Sequence, residues 1–321
     1  MLPLTVMNKL AFVCVASLAA VGCKKSGGGT GGGGGGGGGW FTGSSAMMEN
    51  VNPDGTLNHG YDLGFDAELR GIACRYSGEA WVVGNAGTLL YTNDAGATWS
   101  KQAVPTTADL RALATQDFGP VFIAGNGTFL MTQDTGKTWA ELGDGVAKFR
   151  SLTAAQDGQT VLALSDDGGL WAYDGARLNH KTTLAGMRAI SVSPDGQQAI
   201  AAGNGILRSA DGGATWTQLA VDPSVTFDDV RIGEDGTAVA VGAAGAIANI
   251  DDRGAVTVQH VGTAGLHTVH IADADDADPV GFAAGDDGQT LITHDGGQTW
   301  TLGAKLGATI WGVDQIGDGH R

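Results

Sequence analysis

A chain of 321 residues with 55 glycines, of which 42% is hydrophobic and 16% charged, is not built mainly from helices, because glycine is the poorest helix former after proline. It carries too much apolar side chain to stay unfolded, and its glycines lack the period of three that collagen needs. The formal net charge of −16 argues against nucleic-acid phosphate as the main partner, while the length admits about two domains or one large all-β unit.

Residues 1–39 read as an address and a tether. Lys9 precedes an apolar run over residues 10–22, shorter than the roughly 20 residues of a membrane-spanning helix but suited to a secretory signal. The segment Leu-Ala-Ala-Val-Gly-Cys at 18–23 resembles a bacterial lipobox, with Ala20 where leucine is usual. The resemblance implies cleavage after residue 22 and acylation of Cys23; plain secretion is the alternative. Lys24 follows, with no Asp there, which by resemblance to enteric sorting rules favours the outer membrane or cell surface. The polyglycine stretch to Gly39 is a flexible coil with nothing to pack. The expected division is therefore a signal at 1–22, a lipidated cysteine and tether at 23–39, and one domain at 40–321. Once the signal and Cys23 are set aside, Cys74 has no disulfide partner, and a buried structural thiol is expected.

The remainder is one unit repeated. The box Ser/Thr-x-Asp-x-Gly-x-Thr-Trp occurs intact four times, at Asp94 with Trp99, Asp134 with Trp139, Asp211 with Trp216, and Asp295 with Trp300. Degenerate copies stand at Asp174 and Asp251. About ten residues before each box a short apolar run ends in glycine, as at Gly84, Gly125, Gly203 and Gly285. Four short strands per roughly 40 residues is the signature of a propeller blade. Six full units fit between 68 and 307, and the two ends supply a seventh. Trp40 to Gly43 matches Trp81 to Gly84, and Ile310 to Asp314 supplies a first strand that would bring Arg321 beside Trp40. The expected fold is all-β: a seven-bladed β-propeller with four-stranded antiparallel blades, closed three strands plus one by the N- and C-terminal strands. An open array is the alternative. The boxes themselves read as structural, with Asp accepting backbone N–H bonds, Gly allowing positive φ and Trp sealing the hairpin.

Aligning the first strands on their apolar residue places Arg70, Arg111, Arg150, Arg188, Asp228, His267 and Trp311 in one column. In a propeller that column rings one mouth of the central channel. Four guanidiniums in register suit carboxylates, which arginine grips with two parallel bonds; the competing reading is that each braces neighbouring blades. The acid run Asp273, Asp275, Asp276 and Asp278 reads as a solvated turn rather than a calcium loop. No histidine spacing suits zinc, and neither metal nor cofactor is expected.

The box pattern resembles the Asp-box (BNR) hairpins of sialidases, sortilin-type receptors and the photosystem II assembly and stability factors. The last family shares the blade number and box spacing over residues 40–321 and carries an arginine patch, which implies docking of a partner polypeptide. Three functions follow as expectations. The first is a non-catalytic, monomeric envelope lipoprotein that binds a polypeptide or acidic ligand and meets the membrane only by its N-terminal lipid. The second is photosystem II assembly itself. The third is a sialidase-like glycosidase, disfavoured because Tyr61, Tyr76, Tyr91 and Tyr173 miss the channel register and the Arg-Ile-Pro opening is absent.

Overall fold

The computed structural model describes residues 38–317 except 76, 117–118, 144, 157–158 and 273–279, together with the backbone of 17–18 and 23–24. The rest of the leader and tether, the Cys23 side chain, Arg321 and the acid run from Asp273 to Asp278 lie outside the described residues.

Seven sheets follow one another around a ring, each with four antiparallel strands; Ser17–Leu18 and Cys23–Lys24 add short parallel pairings to the inner strands Phe149–Ala154 and Ile310–Gly317. Numbered by their inner strands, the blades start at Leu69–Cys74, Leu110–Thr115, Phe149–Ala154, Met187–Val192, Phe227–Ile232, Leu266–Ile271 and Ile310–Gly317. In blades 1 to 6 the next three strands follow in chain order. In blade 7 the second, third and outer strands are Gly39–Gly43, Met48–Val51 and Leu57–Gly60, so the sheet joins both ends of the chain. The seam is tighter than the sequence suggests: Trp40 pairs with Asp314, and Phe41 with Val313. Closure leaves no unpaired sheet edge between the first and last blades.

The core is divided among the junctions between blades. Val82, Leu90, Leu113 and Ile123 belong to one cluster, Phe129, Phe149 and Leu152 to another, and Phe41, Phe282, Val313 and Leu306 to the cluster beside the seam. A second strand such as Ala80–Gly84 or Val121–Gly125 is covered on both faces by neighbouring blades and is buried along its whole length. This is why its residues read as a continuous apolar run rather than an alternation.

Inner strands face the channel with one edge, and an edge carries unpaired N–H groups. The preceding blade answers them. Thr153 Oγ1 accepts from the Val192 amide (3.1 Å), Asp229 Oδ2 from Val269 (2.9 Å), Thr268 Oγ1 from Val313 (3.2 Å) and Asp314 Oδ2 from Cys74 (2.9 Å). Asp229 and Asp314 have no exposed surface, and burial pushes the Asp229 carboxyl up to about 8. Cys74 is a buried free thiol, as expected, and burial followed by the Asp314 charge raises its pKa well above the ordinary value.

Outer strands come in two kinds. Where the box is intact they have two residues: Ser100–Lys101, Ala140–Glu141, Thr217–Gln218 and Thr301–Leu302. Where it is degenerate they are longer, as at Leu178–Thr183, Val256–His260 and Leu57–Gly60. The box turn takes up residues that a tight turn leaves to the ladder.

Candidate functional site at the channel mouth

The seven residues of the column share one backbone feature. In blades 1 to 6 the pairing of inner with second strand slips at that position, for example between Leu69 and Gly71, Phe149 and Ser151, and Leu266 and Thr268. The same slip isolates Arg111, Arg188 and Asp228, and in blade 7 Trp311 is left between the paired Ile310 and Gly312. A β-bulge leaves one residue out of the ladder and re-aims its side chain. All seven bulges lie where the chain enters the inner strand, at the same end of the blade as the turns from second to third strand.

The structure links five of the seven, Arg70, Trp311, His267, Asp228 and Arg188, into a chain of contacts, while Arg111 pairs outside the column. The Arg70 guanidinium is 5.8 Å from the centroid of the Trp311 ring and 3.0 Å from the Glu68 carboxylate. Trp311 stacks on His267 with centroids 4.8 Å apart and planes at 25°. His267 lies between two carboxylates, with Nδ1 3.3 Å from Asp228 and Nε2 2.8 Å from Asp286. Asp228 accepts a bond of 2.7 Å from Arg188. Arg111 donates to both oxygens of Asp166, at 2.8 and 3.0 Å, and to Asn126 at 3.3 Å.

Burial pulls the His267 pKa down, but bonds to Asp228 and Asp286 and their charges outweigh it, and the net shift is upward. The Asp228 pKa falls for the matching reason: burial opposes ionisation, while bonds from His267 and Arg188 overcome it.

These contacts divide the column. Arg111, Asp228, His267 and Trp311 are at most 7% exposed and brace adjoining blades. Arg111 in particular is spent on Asp166 and offers no open fork to a ligand. Arg188, with 37% of its side chain exposed, remains in reach of solvent. Arg150 differs from both. Among the described residues it makes no hydrogen bond or ion pair, and its Nε is buried without a partner. Burial pushes its pKa down from the ordinary value, with Asp166 opposing that shift and Arg111 and Arg188 adding to it. A guanidinium stays charged through such a shift, so Arg150 and Arg188 form a cationic corner between blades 3 and 4.

Asn126, Asp166 and Asp286, which answer the column, are absent from the sequence expectation, and so is Asn85, which accepts from the Glu68 amide at 3.0 Å. Each stands one place after the end of a second strand, so a short polar residue after that boundary was the signal available.

The Asp-boxes lie at the other end of the blades, in the turns from third to outer strand. Asp211 accepts from Ser209 Oγ (2.7 Å), the Thr215 amide (2.8 Å) and Thr215 Oγ1 (2.6 Å), and the pattern recurs at Asp94, Asp134 and Asp295. With three hydrogen bonds on each carboxylate, Asp134 and Asp211 are held down at about 2, by the threonine bonds first. Trp216 and Trp300 donate their indole N–H to Gly213 and Gly297 of their own box, at 3.0 and 2.9 Å. Trp99 meets Trp40 of the seam blade edge-on at 5.7 Å, and Trp139 packs against the cluster of blades 1 and 2.

Residues 55–147 match the family described as Photosynthesis system II assembly factor YCF48, and residues 291–302 match the BNR/Asp-box repeat. Among solved structures, YCF48 from Cyanidioschyzon merolae is similar at 18% identity, with 77% of this chain and 89% of that chain covered and a TM-score of 0.61. YCF48 bound to D1 peptide is similar at 20% identity, over 74% and 82% of the two chains, with a TM-score of 0.57. Virginiamycin B lyase from Staphylococcus aureus is similar at 14% identity, over 74% and 85%, with a TM-score of 0.62. No curated protein matches. The family resemblance read from the boxes is thus met by the family match over residues 55–147, and the solved structures share the propeller fold.

Proposed function

We propose that the protein is a non-catalytic envelope lipoprotein whose propeller receives an acidic polypeptide at the channel mouth, with Arg150 and Arg188 as the groups that meet its carboxylates. The observation that carries this reading is Arg150: a charged, largely enclosed guanidinium without a bonded carboxylate among the described residues, in a ring where the other arginines have one. A bound carboxylate would supply what Arg111 takes from Asp166. The structure titled as YCF48 bound to D1 peptide concerns another protein, and it supports a peptide as the ligand class for this fold. Assembly of photosystem II is the narrower form of the same reading, supported by the family match over residues 55–147.

The lipid anchor rests on the 18–23 segment. Gly39 opens its strand at the Asp-box end of blade 7. Labelling cells with an alkynyl fatty acid should mark the wild type and not Cys23→Ser; label retained in that variant would remove the anchor from the proposal.

Recovery of partner proteins from an envelope extract tests the ring. Arg150→Gln should lose at least about tenfold in recovery, since a hydrogen bond to a charged group contributes roughly 1.5–3 kcal/mol and about 1.4 kcal/mol is tenfold in affinity. Equal recovery by wild type and variant would count against the reading. The glycosidase alternative has one pair to offer, Tyr91 with its hydroxyl 2.7 Å from Glu79. That pair sits on a third strand and a first-to-second turn, at the far end from the arginine ring. Burial, then Glu79, raises the phenol pKa, the reverse of what a nucleophile needs.

A further inference from the structure

Six of the seven turns from second to third strand hold a glycine with positive φ, most of them under the loop arriving at the next inner strand. These are Gly87, Gly127, Gly168, Gly205, Gly245 and Gly288. At Gly87, Gly168, Gly245 and Gly288 an added Cβ would run into the carbonyl of that loop, at Thr106, Leu184, Val261 and Leu306. Blade 7 breaks the rule. Its turn holds Ser45 at φ 59° and Ala46 at φ 55°, so a methyl group stands where the other blades have none. At this corner, and on the same face as the ring, the structure has a cleft of about 420 Å³ between the turn at 44–47, the loop at 60–65 and residues 307–308. Its apolar lining includes Met47, Met48, Tyr61, Leu63 and Phe65, and Glu49 enters the wall. Gly60 and Gly307 flank that side chain, a Cβ on either lying in ordinary contact 3.9 Å from Glu49 Oε1. Glu49 Oε2 is buried and has no hydrogen-bond partner among the described residues.

We propose that this cleft binds an alkylammonium group, the side chain of a lysine on a partner polypeptide. The ligand needs a slender apolar stem to lie along methionine and aromatic surface and a compact cation to meet the Glu49 carboxylate, and lysine has both. Aromatic rings add attraction for the cation; the Lys101 ammonium already rests 5.4 Å from the centroid of Phe65. The net charge of −16 favours a cation over any neutral competitor. Ser44, at the lip of the cleft, accepts the indole N–H of Trp311 at 3.0 Å, so the cleft adjoins the ring, and its partner is the one invoked for the ring. The binding of the amine itself does not depend on that reading.

Titration of the purified full chain, with its methionine methyls labelled for NMR, tests the site. The probes are Nα-acetyl-lysine amide and its norleucine counterpart, which lacks the ammonium. The lysine probe should shift the Met47 and Met48 methyls saturably, at least fivefold more tightly than norleucine. Glu49→Gln should weaken it about tenfold, and Arg150→Gln should leave it unchanged, which separates this site from the ring. Leu63→Ala, which removes apolar wall from the cleft, should also weaken binding. Equal response to both probes, or undiminished binding by Glu49→Gln, would overturn the proposal; should that variant fail to fold, undiminished binding by Leu63→Ala would do so.

Discussion

The Asp-box shows how a single residue type is selected by two constraints at once. Gly213 has φ +91°, where an L side chain is strained, and an added Cβ would sit 3.0 Å from Leu162 Cδ1 of the preceding blade. Gly296, one place earlier in another box, has φ +67° with nothing within 4 Å. The natural chain tolerates Ala95 and Thr135 at that earlier position, with φ 57° and 60°. Gly213→Ala should therefore cost about 2–5 kcal/mol, combining backbone strain of about 1–2 kcal/mol with overpacking of about 1–3 kcal/mol. Gly296→Ala should cost about 1 kcal/mol. Urea denaturation of the two variants checks this, and equal losses would mean that packing against Leu162 contributes nothing.

The box carboxylates also set an acid limit. The folded pKa of Asp134 and Asp211, about 2, lies below the unfolded value of about 3.9. Their contribution is thus complete above the unfolded pKa and lost as pH falls through the folded one. The urea midpoint should drop between pH 4 and pH 2, and Asp134→Asn with Asp211→Asn should flatten that drop. An unchanged slope in the double variant would assign acid sensitivity to other groups.

At the scale of the element, the length of the outer strand follows from the turn before it. An intact box closes its turn on its own Asp and leaves a two-residue outer strand, whereas the tight turn at Asp174, held by Oδ1 bonds from the Ala176 and Arg177 amides at 3.0 and 2.9 Å, is followed by a six-residue outer strand of which five residues pair. Short exposed ladders open with little free energy. Amide exchange should therefore be fastest in Ser100–Lys101 and Ala140–Glu141, slower in the Leu178–Thr183 ladder, and slowest in the second strands. Protection in Ser100–Lys101 equal to that in Val121–Gly125 would contradict this order. The inner strands owe their regular bulge to the same economy of position: the slip frees one side chain per blade to reach across to a neighbour.

For the whole molecule, closure depends on a sheet whose inner strand comes from the far end of the chain. Asp314 pairs with Trp40 within blade 7, accepts from the Cys74 amide of blade 1 and lies 3.1 Å from His270 of blade 6. Removing residues 310–321 deletes that strand, leaves Phe41 and Phe282 without Val313 between the blades and opens an edge at Gly39–Gly43. The truncated chain should lose its single cooperative urea transition and aggregate, while a transition like that of the full chain would show that the seam is dispensable. Closure also places the ring and the boxes on opposite faces.

Blade number, the box turns and the register of the column were legible in the sequence because they repeat, whereas its bulges were not. A period near 40 residues turns each position into a comparison with six others, and Arg70, Arg111, Arg150 and Arg188 stand out against it. What a repeat cannot show is how equivalent side chains differ in their partners, since the partner comes from a neighbouring blade. Tertiary structure alone decided that Arg111 is spent on Asp166 while Arg150 is left open, that Trp40 meets Asp314, and that a cleft opens beside the turn at 44–47. The reason is physical: periodicity records the conformation a residue must adopt in its own blade, whereas charge pairing and packing depend on distances across blades that the ring sets only once it has closed.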